Sequence, residues 1–325
     1  MHPDLRLLGP DDVPAWLGLL ADAEAVDRTG EHTAEGELRE EMTDPRLEVV
    51  GAYDGRGLVG YGRLLPLGES EGHFGVQLDG ATHPAWRGGG LGVLLATWLT
   101  ARARAVHAAG GPGLPGRAST TAPDGLPWQA DVLSAVGMVP ARRGLVMRRR
   151  LALPVAASPL PAGYRAAAYD DTMADALRRA HNEAFLGDHP GFTPWSEDVW
   201  AQWVIGSRAF RPALTRVVTP VGSDTIVAYV VTEETDGHRA ATGRREAHVA
   251  RVGTLGPHRG RGLASALLVA CLHDYADAGF EDASLYVDAD SPSGAGRVYA
   301  RAGFEVASRW TTHVMTWPAV DVPPA

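Results

Sequence analysis

No lysine occurs in the 325 residues; all 30 basic side chains are arginine. That absence excludes the P-loop lysine, the Schiff-base lysine of pyridoxal phosphate enzymes and the catalytic lysine of protein kinases. Cysteine is almost as scarce. The lone Cys271 cannot form an intramolecular disulfide. The stretch from Met1 to Leu8 carries Asp4 and has no long apolar segment of a secretory leader, so a cytoplasmic location is expected. No run of 18 apolar residues exists, so neither a transmembrane helix nor a membrane partner is expected. A basic surplus is missing too. The net charge is −9 and the pI about 5.7, which argues against a nucleic-acid partner. The 12 histidines show no His-x-x-x-His spacing and no Cys-x-x-Cys is present, so no metal is expected.

What is present divides into two halves. Residues 154–163 hold three prolines, at 154, 159 and 161, which disfavours helix and suits an extended linker. The flanking stretches, 1–153 and 164–325, are each long enough for one domain. They also repeat one another. In the first, Thr82 and Arg87-Gly88-Gly89-Gly90-Leu91-Gly92 lead into the apolar run Val93 to Val106. In the second, Thr254 and Arg259-Gly260-Arg261-Gly262-Leu263-Ala264 lead into Ser265 to Ala278. Two copies of Arg-x-x-Gly-x-Gly/Ala, each between a β-like stretch and a helical one, point to a duplicated domain.

Within each copy the pattern predicts the order β-α-α-β-β-β-α-β-α-β, an α+β fold. In the first, helices are expected over 11–25, 34–42 and 131–136, and strands over 47–53, 57–65, 74–82, 117–121 and 141–151. In the second, helices are expected over 172–185, 197–204 and 295–302, and strands over 215–219, 225–232, 247–255, 283–287 and 306–316.

A strand that enters a glycine loop and opens a helix is suited to binding phosphate. The first N–H groups of the helix lack intrahelical partners, and its dipole adds partial positive charge. Gly260 and Gly262 let backbone approach an anion closely, and Arg259 and Arg261 add cations. Neither loop has the third glycine of the dinucleotide fingerprint, and the Walker pattern needs the missing lysine.

On these motifs the sequence resembles the GNAT acyltransferase superfamily, whose signature is Gln/Arg-x-x-Gly-x-Gly/Ala. The second copy is also similar to the family downstream, where Val298-Tyr299-Ala300-Arg301-Ala302-Gly303-Phe304 follows a polar loop. Two fused copies are similar to tandem GNAT enzymes of the mycothiol synthase type. The resemblance implies two tandem domains, each a mixed, mostly antiparallel sheet flanked by helices. It implies acetyl-CoA as cosubstrate and transfer of its acetyl group to a small-molecule amine. Two other readings stay open: a coenzyme-binding regulator without turnover, and a protein N-acetyltransferase. The chain would act as a monomer or homodimer.

The family's pattern assigns roles by position. Val252, Gly253 and Thr254 would lie along the pantetheine arm, and Arg259, Gly260, Arg261, Gly262, Leu263 and Ala264 would hold the pyrophosphate. Thr82, Arg87, Gly88, Gly90, Leu91 and Gly92 are the first-copy counterparts. Tyr299, four residues before Gly303, would protonate the departing thiolate; the alternative is a core aromatic. Glu246 and His248 share a strand face, so either could accept the ammonium proton. Set without gaps against mycothiol synthase-like sequences, His248 stands where those enzymes keep a glutamate, which leaves the base open. Glu233 and Glu234 are weaker candidates. Cys271 falls on the apolar stripe of its helix and reads as a small core residue. Leu133 stands in the first copy where Tyr299 stands in the second, and Asp79 is the only carboxylate of the strand before the first loop. The C-terminal copy is therefore expected to be catalytic and the N-terminal one not.

Overall fold

The computed structural model describes residues 3–70, 72–186, 192–290 and 294–320. In chain order they form β1 (Asp4–Leu7), α1 (Val13–Asp27), α2 (Glu35–Glu41), β2 (Glu48–Tyr53), β3 (Leu58–Ser70), β4 (His73–Thr82), α3 (Leu91–Gly110), β5 (Gly116–Pro123), α4 (Pro127–Ala135) and β6 (Val139–Arg150). Then come β7 (Tyr164–Ala168), α5 (Ala174–Leu186), α6 (Glu197–Trp200), β8 (Arg216–Pro220), β9 (Ala228–Glu233), α7 (Asp236–Thr242), β10 (Glu246–Thr254), α8 (Leu263–Asp277), β11 (Asp282–Asp288), α9 (Ala295–Arg301) and β12 (Glu305–Trp317).

The sequence pattern accounts for these elements. On α3, Leu91, Leu95, Leu99 and Ala103 recur every four residues and are buried. Leu263, Leu267 and Cys271 do the same on α8. Three helices differ from expectation. Helix α4 begins at Pro127, because proline suits the first turn of a helix. The second-copy helix is regular only to Trp200 and continues as a π turn from Ala201 to Ile205. Helix α7 was not expected, since a seven-residue helix leaves too short a pattern to read.

The chain forms two units, one of Met1–Arg143 with Ser308–Ala325, the other of Gly144–Ala307. The sequence instead suggested a division at 154–163. The difference is an exchange of strands. In unit 1 the order is β1-β2-β3-β4-β5-β12. Strands β4 and β5 run parallel and the other neighbours antiparallel. In unit 2 the order is β7-β8-β9-β10-β11-β6, with β10 and β11 the parallel pair. Each unit is thus closed by the last strand of the other half. Buried Met147 of β6 joins the unit 2 core, and Trp317 of β12 packs with Leu64, Phe74 and Ala118 in unit 1. Residues 154–163 carry no helix or strand up to Pro161, as the prolines predict, but they connect β6 to β7 within unit 2.

Candidate active site

Both glycine loops take the backbone shape their sequences call for. Gly88 and Gly90, and Gly260 and Gly262, have φ between +72° and +86°, a region costly for other residues. An added Cβ at any of the four would meet nothing within 4 Å, so each loop is an open cradle at a helix start. Leu91 and Leu263 are buried behind the loops and hold the two helices in place. Gly92 and Ala264 follow on the first turn, Gly92 close against Val132.

The loop arginines do not direct their charge as expected. Arg259 Nε donates to the Thr254 carbonyl at 2.9 Å, and its Nη2 donates to the Ala184 carbonyl at 3.0 Å. Arg87 binds Asp27 through two bonds of 2.6 and 2.7 Å and lies over the Trp128 ring. Both therefore brace the loop against neighbouring elements, and the cradle is chiefly backbone. Arg261 is exposed and donates to the Pro257 carbonyl at 3.3 Å.

Each parallel strand pair opens before the loop. Strands β10 and β11 pair only from Glu246 to Val249, and a bulge follows between Val249 and Arg251. Val252, Gly253 and Thr254 remain paired to β9 on one side and have no ladder to β11 on the other. The buried Thr254 Oγ1 has no hydrogen-bond partner among the described residues. Gly253 is obligatory here, because the Tyr229 hydroxyl occupies the space its side chain would need. In unit 1, β4 and β5 likewise pair only from Phe74 to Gln77.

Behind the opening, the registers align four side chains in a row across four strands. Arg148 of β6 lies opposite Ser284 of β11, Ser284 opposite His248 of β10, and His248 opposite Glu233 of β9. Ser284 Oγ donates to Glu246 Oε1 at 2.8 Å and lies 3.0 Å from His248 Nδ1. Its single proton goes to the carboxylate, so His248 Nδ1–H is the donor in the second bond. That fixes the histidine tautomer and leaves Nε2 as a lone-pair acceptor. Arg148 Nε lies 3.0 Å from Glu246 Oε2, so both carboxylate oxygens of Glu246 are engaged. Glu233 pairs with Arg251 at 2.7 Å. Burial pushes the His248 pKa below its ordinary value, opposed by Glu233 and Glu246 and reinforced by Arg251 and Arg148.

Tyr299 on α9 is buried, and its hydroxyl has no hydrogen-bond partner among the described residues. Burial raises its pKa to about 12, so the phenol keeps its proton across the physiological range. Glu234 belongs elsewhere: it is buried between Arg211 and Arg245, which hold its carboxyl below the usual range. Cys271 is fully buried, with its thiol pushed up to about 12, in keeping with a core role. Four aromatic side chains of unit 2 gather around buried His181. Phe185, Phe192, Trp195 and Trp200 have ring centroids 4.3 to 5.5 Å from it. The Tyr229 hydroxyl lies 2.9 Å from His181 Nδ1.

Unit 1 repeats the frame with different chemistry. Its corresponding row is Leu65, Gln77, Ser119 and Val314, with no titratable group. Gly137 and Gly303 close α4 and α9 with φ of +84° and +83°. The Met138 and Phe304 N–H groups donate to the Leu133 and Tyr299 carbonyls. Leu133 and Tyr299 therefore occupy equivalent places. Unit 1 also encloses a cavity of about 380 Å³ that reaches from Thr82 and Gly92 to Trp16 and Glu41. Among the described residues, no group of three or more His, Cys, Asp or Glu is placed to hold a metal ion. Among them, too, no helix is long and apolar enough to cross a membrane.

The Acetyltransferase (GNAT) family profile matches residues 16–110 and 174–304. The chain belongs to the GNAT family. It is an acetyltransferase of tandem architecture. A mycothiol acetyltransferase from Salinispora tropica is 30% identical, over 95% of this chain and 94% of its own length. One from Nocardia farcinica is 29% identical over 88% of each. Among solved structures, a GCN5-related N-acetyltransferase from Sphaerobacter thermophilus superposes with a TM-score of 0.76, 25% identity and 99% coverage of both chains. A tandem GNAT protein from the clavulanic acid biosynthesis pathway gives 0.71 at 18% identity, covering 96% of this chain and 98% of its own.

Within this GNAT frame, Arg148 and Ser284 escaped the sequence reading. Their only available signal was the strand register, and Arg148 comes from a strand expected in the other domain.

Proposed function

We propose that unit 2 transfers an acetyl group from acetyl-CoA to the amine of a small molecule. The observation that carries this reading is the Glu246–Ser284–His248 relay behind a strand pair that opens onto a glycine cradle. The cradle fits the coenzyme. Gly260 and Gly262 leave room for a pyrophosphate, and the first N–H groups of α8 lack intrahelical acceptors. The unpaired edge of β10 at Val252, Gly253 and Thr254 can bond an extended pantetheine arm as an added strand. The orphaned Thr254 hydroxyl lies beside that edge. The coenzyme supplies an acyl group activated as a thioester.

His248 is the base in this reading and Glu246 a positioning residue. Nε2 of His248 accepts a proton from the acceptor ammonium, directly or through one water. The freed amine forms the new C–N bond as the C–S bond breaks. Tyr299 gives its phenol proton to the departing thiolate, and a pKa near 12 keeps that proton available until then. Unit 1 lacks both groups, with Gln77 and Leu133 in their places, which supports a non-catalytic role for it.

The names of the curated relatives make an acceptor of mycothiol chemistry the first to try. The test is release of free thiol from acetyl-CoA across a panel of small amines, with His248→Gln as control. Turnover that requires His248 is expected. Failure to bind the coenzyme at millimolar concentration would sink the reading.

A further inference from the structure

Arg149 of β6 is a buried cation with no anion beside it. The residue is 5% exposed, and its guanidinium meets main-chain carbonyls: Nη1 donates to Ala302, Nη2 to Leu153 and Nε to Arg150. Among the described residues it has no ion pair, and burial lowers its pKa. Taking a charge out of water without a counter-ion is costly. The three carbonyls offset part of that cost, and the planar guanidinium has the fork to reach all of them at once. They lie on two segments. Arg150 and Leu153 belong to the turn that ends β6, where the Leu153 N–H donates to the Arg150 carbonyl at 3.3 Å. Ala302 caps α9, where carbonyls lack intrahelical donors and the helix dipole is negative. Arg149 therefore clasps the end of α9 to the end of β6. A helix of seven residues is marginal by itself, and Tyr299 is the one buried residue of the seven.

Unit 1 fills the same place differently. Arg149 lies opposite Ala283 of β11, and Met315 of β12 lies opposite Ala118 of β5. Each is one position along from the row that aligns Arg148 with Ser284 and Val314 with Ser119. Each also lies against the left-handed glycine that follows the short helix. A Cβ at Gly303 would be 3.2 Å from Arg149 Nη1, and one at Gly137 would be 3.7 Å from Met315 Cε. Met315 is thus the counterpart of Arg149, and it packs against the apolar core of unit 1. A thioether suffices beside the helix that carries Leu133. A buried charge stands beside the helix that carries Tyr299. Packing in this frame does not itself require the cation.

We propose that Arg149 is a positioning residue for the acid of the transfer reaction: by fixing the carbonyl end of α9 to the turn after β6, it holds the Tyr299 phenol where the departing thiolate forms. The inference rests on the reading of unit 2 given above. The Arg149 fork is spent on main chain, so its effect reaches the reaction through α9 and Tyr299. The Phe304 N–H donates to the Tyr299 carbonyl at 3.1 Å, and the Phe304 ring lies 6.3 Å from the Tyr299 ring. The clasp at Ala302 thus sits inside the turn that links these two aromatics.

The test is a double-mutant cycle in the full chain, with Arg149→Met, Tyr299→Phe and the two combined. Thiol release from acetyl-CoA gives kcat and KM. With Tyr299 present, Arg149→Met should lower kcat by up to roughly 100-fold, the cost of displacing a reacting group by about 1 Å. The KM for acetyl-CoA should stay unchanged. In the Tyr299→Phe background the same substitution should cost almost nothing, because the phenol is already gone. Arg149→Lys keeps the charge without the fork and should recover part of the loss. It also carries the cycle should Arg149→Met not fold. A second readout needs no turnover. With 13C-labelled tyrosine, the Tyr299 ring resonance, assigned from its loss in Tyr299→Phe, should move in Arg149→Met. Equal losses in the two backgrounds, a raised KM in place of a lowered kcat, or an unmoved Tyr299 ring in a folded variant would overturn the proposal. Absence of transfer by the wild type would instead defeat the reading of unit 2, and the ring resonance would still decide whether Arg149 sets the place of Tyr299.

Discussion

Trp317 donates its indole N–H to Nδ1 of His107, 210 residues earlier in the chain, at 3.0 Å. The opposite ring nitrogen of His107 lies 2.7 Å from the Leu114 carbonyl, so the proton of this fully buried histidine sits on Nε2. The indole also fills the space above Gly116, where no Cβ could fit. One side chain near the C-terminus thereby anchors α3 and the start of β5 in the first unit.

Trp317→Ala should therefore destabilise unit 1 by about 3–5 kcal/mol, the usual range for removing a buried aromatic. Hydrogen exchange would locate the loss. Amides of β4 and β5 are expected to exchange faster, and those of β10 and β11 to keep their protection. Equal loss in both units would refute the assignment of β12 to the first.

The His248 relay predicts a pH profile. A base must be unprotonated, and burial lowers the His248 pKa, so the acidic limb of kcat/KM should fall below the ordinary histidine value of about 6.5. His248→Gln should abolish that limb. Ser284→Ala frees the ring and leaves Nδ1–H unpaired; a loss of roughly ten-fold with a displaced limb is expected. Ser284→Thr keeps a hydroxyl and should restore the wild-type profile. A Ser284→Ala enzyme with an unaltered profile would remove the relay from the mechanism.

Tyr299→Phe deletes only the phenol oxygen. Turnover should drop by roughly 10²–10⁴-fold, the range for general acid catalysis. Coenzyme affinity, measured by calorimetry, should hold because the ring remains. The wild-type rate should also show no alkaline decline from this group below about 12. Unchanged turnover would give the proton to water.

The two cradles should respond unequally to the same insult. Gly262→Val puts a side chain where the pyrophosphate is expected and should eliminate transfer. Gly90→Val should spare most of it. Both positions have φ near +85°, so the backbone strain is matched, and circular dichroism can establish that each variant folds. Equal loss of transfer in two folded variants would contradict a division of labour between the units.

What the sequence revealed and what it hid follow from the range of the interactions involved. The loops at Arg87–Gly92 and Arg259–Ala264 were legible because their shape is local: glycines at positive φ, an arginine bracing backbone five residues back, and a buried leucine opening the helix. The likeness of Leu133 and Tyr299 was legible for the same reason, each set four residues before a left-handed glycine. The choice between Glu246 and His248 was not. It turns on Ser284 and Arg148, which come alongside only through the registers of β10, β11 and β6. Nor could composition show which sheet a strand joins: Ala141 to Leu151 reads equally well as closing either half.

The exchange of β6 and β12 has a consequence for biosynthesis. A chain emerging from the ribosome presents β1 to β5 early, yet the partner that covers β5 is made only after β11 and α9. Unit 2 needs β6, already translated when β11 appears, and can close its sheet before the paired residues of β12 are made. The order of folding is then the reverse of the order of synthesis. The amino-terminal unit must wait, with one sheet edge open, until β12 has been made beyond unit 2.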